Sequence, residues 1–226
     1  MIKLVVLDMA GTTVADDGLV ERAFTQAIQE IGVAGSAVPG MLDYVRRTMG
    51  ESKIAVFRHL LAGDETLARQ ANQAFEQAYA ARVADGDCRE IDGAAAAIRQ
   101  LRDAAVKVAL TTGFSELTQK QILDALGWGG LADLTLTPAQ AGRGRPYPDM
   151  VLTALLRLRI DDVRQIATVG DTAYDVRSGR SAGASIVAGV LTGAHERAAL
   201  AAAGATHILE SVRQLPELVL SAKDDL

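Results

Sequence analysis

A chain of 226 residues, 49% hydrophobic and 23% charged, is long enough for one or two compact domains and too apolar to stay disordered. Its formal net charge of −5 gives no electrostatic pull toward nucleic acid or an anionic membrane, so an anionic substrate needs a local positive site. The single cysteine, Cys88, excludes an internal disulfide and fits a cytoplasmic location, and the apolar run that opens the chain is too short for a signal peptide or a membrane span.

In chain order, residues 2–7 read as a buried parallel strand that ends on Asp8. Residues 15–87 then carry helical periodicity and no convincing strand, with Leu19, Ala23, Ala27, Ile28 and Ile31 on one face and breaks at 32–40 and 63–64. From there helices (93–104, 116–126, 148–158, 174–182, 194–203, 212–220) alternate with strands (106–110, a weaker 132–136, 165–169, 185–190, 206–209). Such alternation predicts an α/β fold, a Rossmann-like parallel sheet with helices on both faces. Residues 1–14 and 88–226 form this core domain, and 15–87 an all-helical cap domain inserted after the first strand. With only two crossings between them, the two parts are free to move separately.

Ligands of open α/β sheets bind beyond the carboxyl ends of the strands, and the reactive side chains of this sequence fall there. Asp8 ends the first strand and is followed by Met9-Ala10-Gly11-Thr12-Thr13. The second strand ends in Thr111-Thr112-Gly113-Phe114, and Arg145 stands in a stiff Gly-Arg-Pro-Tyr-Pro loop. A later strand ends in Gly170-Asp171-Thr172-Ala173-Tyr174-Asp175. An aspartate, a threonine, an arginine and an aspartate pair, in that order at βα junctions, resemble the four-part signature of the haloacid dehalogenase superfamily, with the helical insert matching its cap. The resemblance implies that Asp8 attacks a phosphoryl group to form an aspartyl-phosphate, and that Mg²⁺ is held by Asp8, the Ala10 carbonyl and Asp171. Thr111 and Arg145 are suited to holding phosphoryl oxygens, and Asp175 to orienting this set. Gly11, Thr12, Thr112 and Gly113 are expected to line the substrate.

Most phosphatases of the superfamily carry a general-acid aspartate two residues after the nucleophile, where this chain has Ala10. That departure, with arginine in place of the usual lysine, resembles the phosphonatase branch, phosphonoacetaldehyde hydrolase and its phosphonatase-like relatives. There a cap lysine forms a Schiff base with the substrate aldehyde, and the carbon leaves phosphorus as an enamine, which requires no acid. The matching segment is Thr48-Met49-Gly50-Glu51-Ser52-Lys53, so Lys53 is the candidate amine, and Met49 is positioned to pack over the imine. A helix starting near Gly50, with Arg46 or Arg47 nearby, favours a neutral amine at Lys53. The histidine that phosphonatase carries one turn beyond its lysine is Val56 here, and His59 lies well round the helix. A phosphomonoesterase of the same fold, a metal-independent dehalogenase and a silent phosphate-binding protein stand as alternatives. The resemblance also implies a small-molecule phosphonate or phosphate partner and a homodimer formed through the cap. His195 and His207 read as surface or strand-edge residues, and Trp128 as a loop anchor.

Overall fold

The computed structural model describes residues 1–221. Its elements in chain order are β1 (Leu4–Asp8), α1 (Leu19–Glu30), α2 (Val38–Arg47), α3 (Lys53–Leu60), α4 (Glu65–Ala84), α5 (Ala94–Asp103), β2 (Lys107–Thr111), α6 (Glu116–Ala125), β3 (Leu134–Leu136), α7 (Pro138–Ala141), α8 (Asp149–Arg157), β4 (Ile166–Gly170), α9 (Ala173–Ala182), β5 (Ile186–Val190), α10 (Arg197–Ala202), β6 (His207–Leu209) and α11 (Leu215–Ser221). The strands form one parallel sheet in the order β3-β2-β1-β4-β5-β6, so chain direction across the sheet reverses at β1. This switch point sets Asp8 beside Thr111, its register partner on β2, and beside the loop that follows β4.

The central strands are apolar along their whole length because both faces are covered. Side chains of β1 alternate between them. Val5 and Leu7 join a cluster with Ile98, Leu101, Ile122 and Val219, from α5, α6 and α11. Leu4 and Val6 join the opposite cluster with Val151, Ala154, Val176 and Leu200, from α8, α9 and α10.

Between β1 and α5 the chain forms helices α1 to α4 and no strand. Phe24 stacks on Phe57 at 5.3 Å, Phe57 meets Phe75 edge-on at 6.1 Å, and Phe75 lies 6.1 Å from Phe114 of the core. This apolar column is continuous with the Val5–Leu7 side of the sheet, so more than two chain crossings joins the insert to the core. The Glu76 carboxylate, from α4, adds polar links. It accepts from the Ser115 hydroxyl at 2.6 Å, from the Ser115 N–H at 3.3 Å and from the Thr118 hydroxyl, at the N-terminus of α6.

Three boundaries differ from the sequence reading. The break around 32–40 ends early, because Pro39 is accepted within the first turn of α2, where its missing N–H has no partner to lose. The helix carrying Lys53 begins at Lys53 itself, since Gly50, at φ +94°, holds a turn instead. Residues 194–196 are loop and α10 starts at Arg197, because the N–H groups of Ala194 and His195 are committed to Asp171. Among the described residues no helix is long and apolar enough to cross a membrane.

Candidate active site

The tips of β1, β2 and β4 converge on one buried cation. Arg145 donates through Nη2 to the Asp8 carboxylate and, at 2.9 Å, to the Thr111 hydroxyl, and it pairs through Nε with Asp175. Its Nη1 reaches the Gly50 carbonyl of the insert at 3.4 Å. Thr111 in turn donates to the Leu7 carbonyl at 3.2 Å. Asp8, Thr111, Arg145, Asp171 and Asp175 are all buried, so every donor of the guanidinium counts. Burial works against the Arg145 charge, but Asp175 and Asp8 outweigh it and hold the guanidinium firmly protonated.

The two acids after β4 are fixed from different sides. Thr172 begins α9 and exchanges hydrogen bonds with Asp175. The Thr172 N–H donates to its carboxylate at 3.1 Å, and the Asp175 N–H donates back to the Thr172 hydroxyl at 3.2 Å. Asp171 accepts from the Thr12 hydroxyl at 3.1 Å and the Ala194 N–H at 2.8 Å. Gly11, at φ +82°, and Gly193 approach so closely that a Cβ on either would collide with the Asp171 carboxylate. His195 is half-buried and accepts the Ala173 N–H on Nδ1 at 2.9 Å, which braces this loop instead of facing solvent.

Carboxylate oxygens of Asp8, Asp171 and Asp175 lie within 4.8 Å of one another. Arg145 serves Asp8 and Asp175, whereas Asp171 has only neutral donors. Burial, and the Asp175 charge after it, push Asp171 up to about 7; burial also raises Asp8 well above the usual carboxylate range against the pull of Arg145. A buried acid cluster with one cation too few fits a hard divalent ion that takes oxygen ligands.

Above this cluster opens a cavity of about 410 Å³, roofed by the insert. Asp8, Ala10, Gly11, Met49, Lys53, Thr112, Gly113, Arg145 and Asp171 border it, so most of the residues singled out from the sequence meet in one place. Lys53 enters from the first position of α3, with its ammonium 5.6 Å from the centre of the Phe114 ring. Burial lowers its pKa, Asp16 and Asp8 oppose that shift, and Arg145 adds to it. Arg46 is not the cause expected from sequence, because it is paired with Glu21 at 2.7 Å and Asp43 at 3.1 Å. His59 is turned away, stacked on Tyr44 at 4.2 Å, and Val56 is buried.

Other expectations need correction. Thr12 is fully buried with its hydroxyl on Asp171, so it steadies that acid and does not line the substrate space. Thr111 and Asp175 lie behind Arg145, outside the cavity wall, and hold its guanidinium in place. Sequence reasoning passed over Asp16, Gly193 and Ala194. The first is an acid in a loop with no motif of its own, Gly193 lay between an expected strand and an expected helix, and Ala194 fell where that helix was expected to start.

Residues 2–183 match the haloacid dehalogenase-like hydrolase family. The chain is 31% identical over 210 residues to the phosphonoacetaldehyde hydrolase of Bacillus cereus, covering 86% of this chain and 78% of that one. In structure it resembles a phosphonoacetaldehyde hydrolase-like protein from Oleispira antarctica (TM-score 0.84, 22% identity, 97% of this chain and 92% of that one). It also resembles CbbY from Rhodobacter sphaeroides in complex with phosphate (TM-score 0.77, 19% identity, 95% and 96% covered). The chain therefore belongs to the haloacid dehalogenase-like hydrolases.

Proposed function

We propose that the protein hydrolyses the carbon–phosphorus bond of a small phosphonate aldehyde, with Lys53 forming an imine to the aldehyde carbon and Asp8 accepting the phosphoryl group. The observation that carries this reading is that an amine and a nucleophilic carboxylate, supplied by the insert and by the core, border one cavity. A desolvated lysine is kept nearer its neutral, nucleophilic form. The nitrogen attacks the aldehyde and water leaves. The resulting protonated imine withdraws the electron pair of the breaking C–P bond, so the carbon departs as an enamine. Ala10 then costs nothing, because no alkoxide has to be protonated. Arg145 holds the phosphoryl oxygens and orients Asp8. Water releases phosphate from the aspartyl-phosphate.

Asp8, the Ala10 carbonyl and Asp171 would hold Mg²⁺, with Asp175 bracing the set through Arg145. The ion supplies charge neutralisation, which lets a carboxylate approach an anionic phosphoryl group.

The test is borohydride reduction in the presence of phosphonoacetaldehyde and Mg²⁺. The expected result is a covalent adduct on Lys53, and loss of both adduct and phosphate release in Lys53→Arg. An unchanged turnover in that variant eliminates the imine. The second reading is a phosphomonoesterase working through the same Asp8. What favours it is that Arg145 and the acid cluster suit any phosphoryl group. Turnover of p-nitrophenyl phosphate indifferent to Lys53 replacement would select it.

A further inference from the structure

Imine chemistry needs a proton donor and acceptor beside the lysine, and the helix that carries Lys53 offers none on its inner face. Val56 is buried and aliphatic, and His59 stacks on Tyr44 away from the cavity. Most of the acids that border the cavity are already engaged. Asp8 is held by Arg145, Asp17 by Arg89 at 2.7 Å, Glu21 by Arg46, and Asp171 by Thr12 and Ala194. Three acids of the wall, Asp16, Glu51 and Asp171, have no ion-pair partner among the described residues, and of these Asp171 is already held by Thr12 and Ala194.

Asp16 stands in the loop between β1 and α1, at the start of the insert. One of its carboxylate oxygens accepts the Val20 N–H at 3.1 Å, which fixes the side chain, and the carboxylate has no side-chain partner among the described residues. Of the charges acting on Lys53, that of Asp16 is felt most, ahead of Asp8, Arg145 and Glu76. Burial raises the Glu51 carboxyl, and His59 opposes that shift more than Lys53 does. Burial raises Asp16 from the usual carboxylate range, opposed by the Val20 N–H, Lys53, the Gly18 N–H and Arg22. A carboxyl group in that condition carries a proton at a higher pH than a solvated one and is suited to passing it on.

We infer that Asp16 is the acid–base group of Lys53, carrying protons during formation and hydrolysis of the imine; the inference rests on the imine reading above. The neutral Lys53 amine forms a bond to the aldehyde carbon, and a proton moves from nitrogen to the former carbonyl oxygen, giving a neutral carbinolamine. Protonated Asp16 then gives its proton to that hydroxyl. The C–O bond breaks, water leaves with the electron pair, and the nitrogen lone pair closes the C=N bond. The products are a protonated imine, water and the Asp16 carboxylate. After the C–P bond has been cleaved and the enamine carbon has taken up a proton, the steps reverse. Water adds to the imine, Asp16 recovers its proton, and the dephosphorylated aldehyde is released.

The experiment measures the rate of borohydride trapping with phosphonoacetaldehyde across pH for the wild-type chain, Asp16→Asn, Asp16→Glu and Lys53→Arg. Asparagine keeps an oxygen for the Val20 N–H, and thermal unfolding of each variant establishes that it is folded. Trapping by Asp16→Asn is expected to slow by roughly 10²- to 10⁴-fold, the usual loss for a missing acid–base group. The wild-type profile should fall as pH rises past the point where Asp16 loses its proton. That limb should vanish in Asp16→Asn and return in Asp16→Glu. Asp16→Asn trapping at the wild-type rate, or slowly but with an unaltered pH profile, overturns the inference while the imine stands. Absence of any wild-type adduct overturns the imine reading itself, and this inference with it.

Discussion

Replacing Gly50 by alanine strains the seam between insert and core at a single point. Gly50 has φ +94°, and a Cβ built there would stand 2.6 Å from the Thr172 hydroxyl, with two further side-chain atoms of Thr172 at 3.3 Å. The backbone conformation alone costs an alanine about 1–2 kcal/mol. Forcing Thr172 aside adds an overpacking penalty of about 1–3 kcal/mol. It also weakens a helix cap worth about 1 kcal/mol, since Thr172 caps α9 and holds Asp175. The total is about 3–6 kcal/mol, and for a chain of this size each kcal/mol lowers the melting temperature by about 2–4 °C. Thermal unfolding followed by circular dichroism should show a fall of the order of 10 °C. Gly63→Ala is the control, because Gly63 shares a positive φ, +81°, but a Cβ there would meet nothing within 4 Å. It should show the conformational penalty alone. Equal melting temperatures for the two variants would refute the seam contact, and a Gly50→Ala protein that melts within about 2 °C of wild type would refute the whole argument.

Without divalent metal, the raised Asp171 makes stability depend on pH. An acid whose folded pKa lies near 7, above the ordinary aspartate value of 3.8, contributes stability that is complete below about pH 4 and lost as pH rises through 7. Urea denaturation in EDTA should therefore show a falling midpoint between pH 5 and 7.5, expected to flatten in millimolar Mg²⁺, and a flat profile in EDTA would contradict the placement of Asp171. Asp171→Asn should reduce that slope in EDTA, with the raised Asp8 keeping the remainder, and abolish metal-dependent turnover, as seen by repeating the titration and the phosphate-release assay. Asp64 caps α4 by accepting the Leu67 N–H at 2.9 Å, so Asp64→Ala should cost about 1 kcal/mol in urea titration with turnover nearly unchanged. Burial pushes the Cys88 thiol up to about 11, so iodoacetamide at neutral pH should label it far more slowly than an unstructured peptide thiol.

The sheet was legible because β1, β4 and β5 are covered on both faces and read as unbroken apolar runs. The short edge strands β3 and β6 showed more faintly, three residues each. The cluster at the strand tips was also legible, since Asp8, Thr111 and Asp171 each end or follow a run of this kind. What local patterning did not carry is which polar groups are spent on one another. Thr12 and Thr111 look equally available in sequence, yet both hydroxyls are consumed by neighbouring side chains or the backbone. The alanines after 194 have high helix propensity, but the N–H groups of Ala194 and His195 close the loop over Asp171 instead. That Asp16 and Lys53 border one cavity was not readable from the sequence, because the loop before α1 and the start of α3 meet only once the insert has folded.

The grip of Glu76 on the first turn of α6 makes the insert a flap fastened along one margin. Prising it up there means baring a carboxylate that three donors now satisfy, next to aromatic rings that would be wetted. On the Gly50 margin, a single long hydrogen bond among the described residues, 3.4 Å from Arg145, has to give way. Parting the insert from the core is thus easier along the turn that precedes Lys53 than along the first turn of α6.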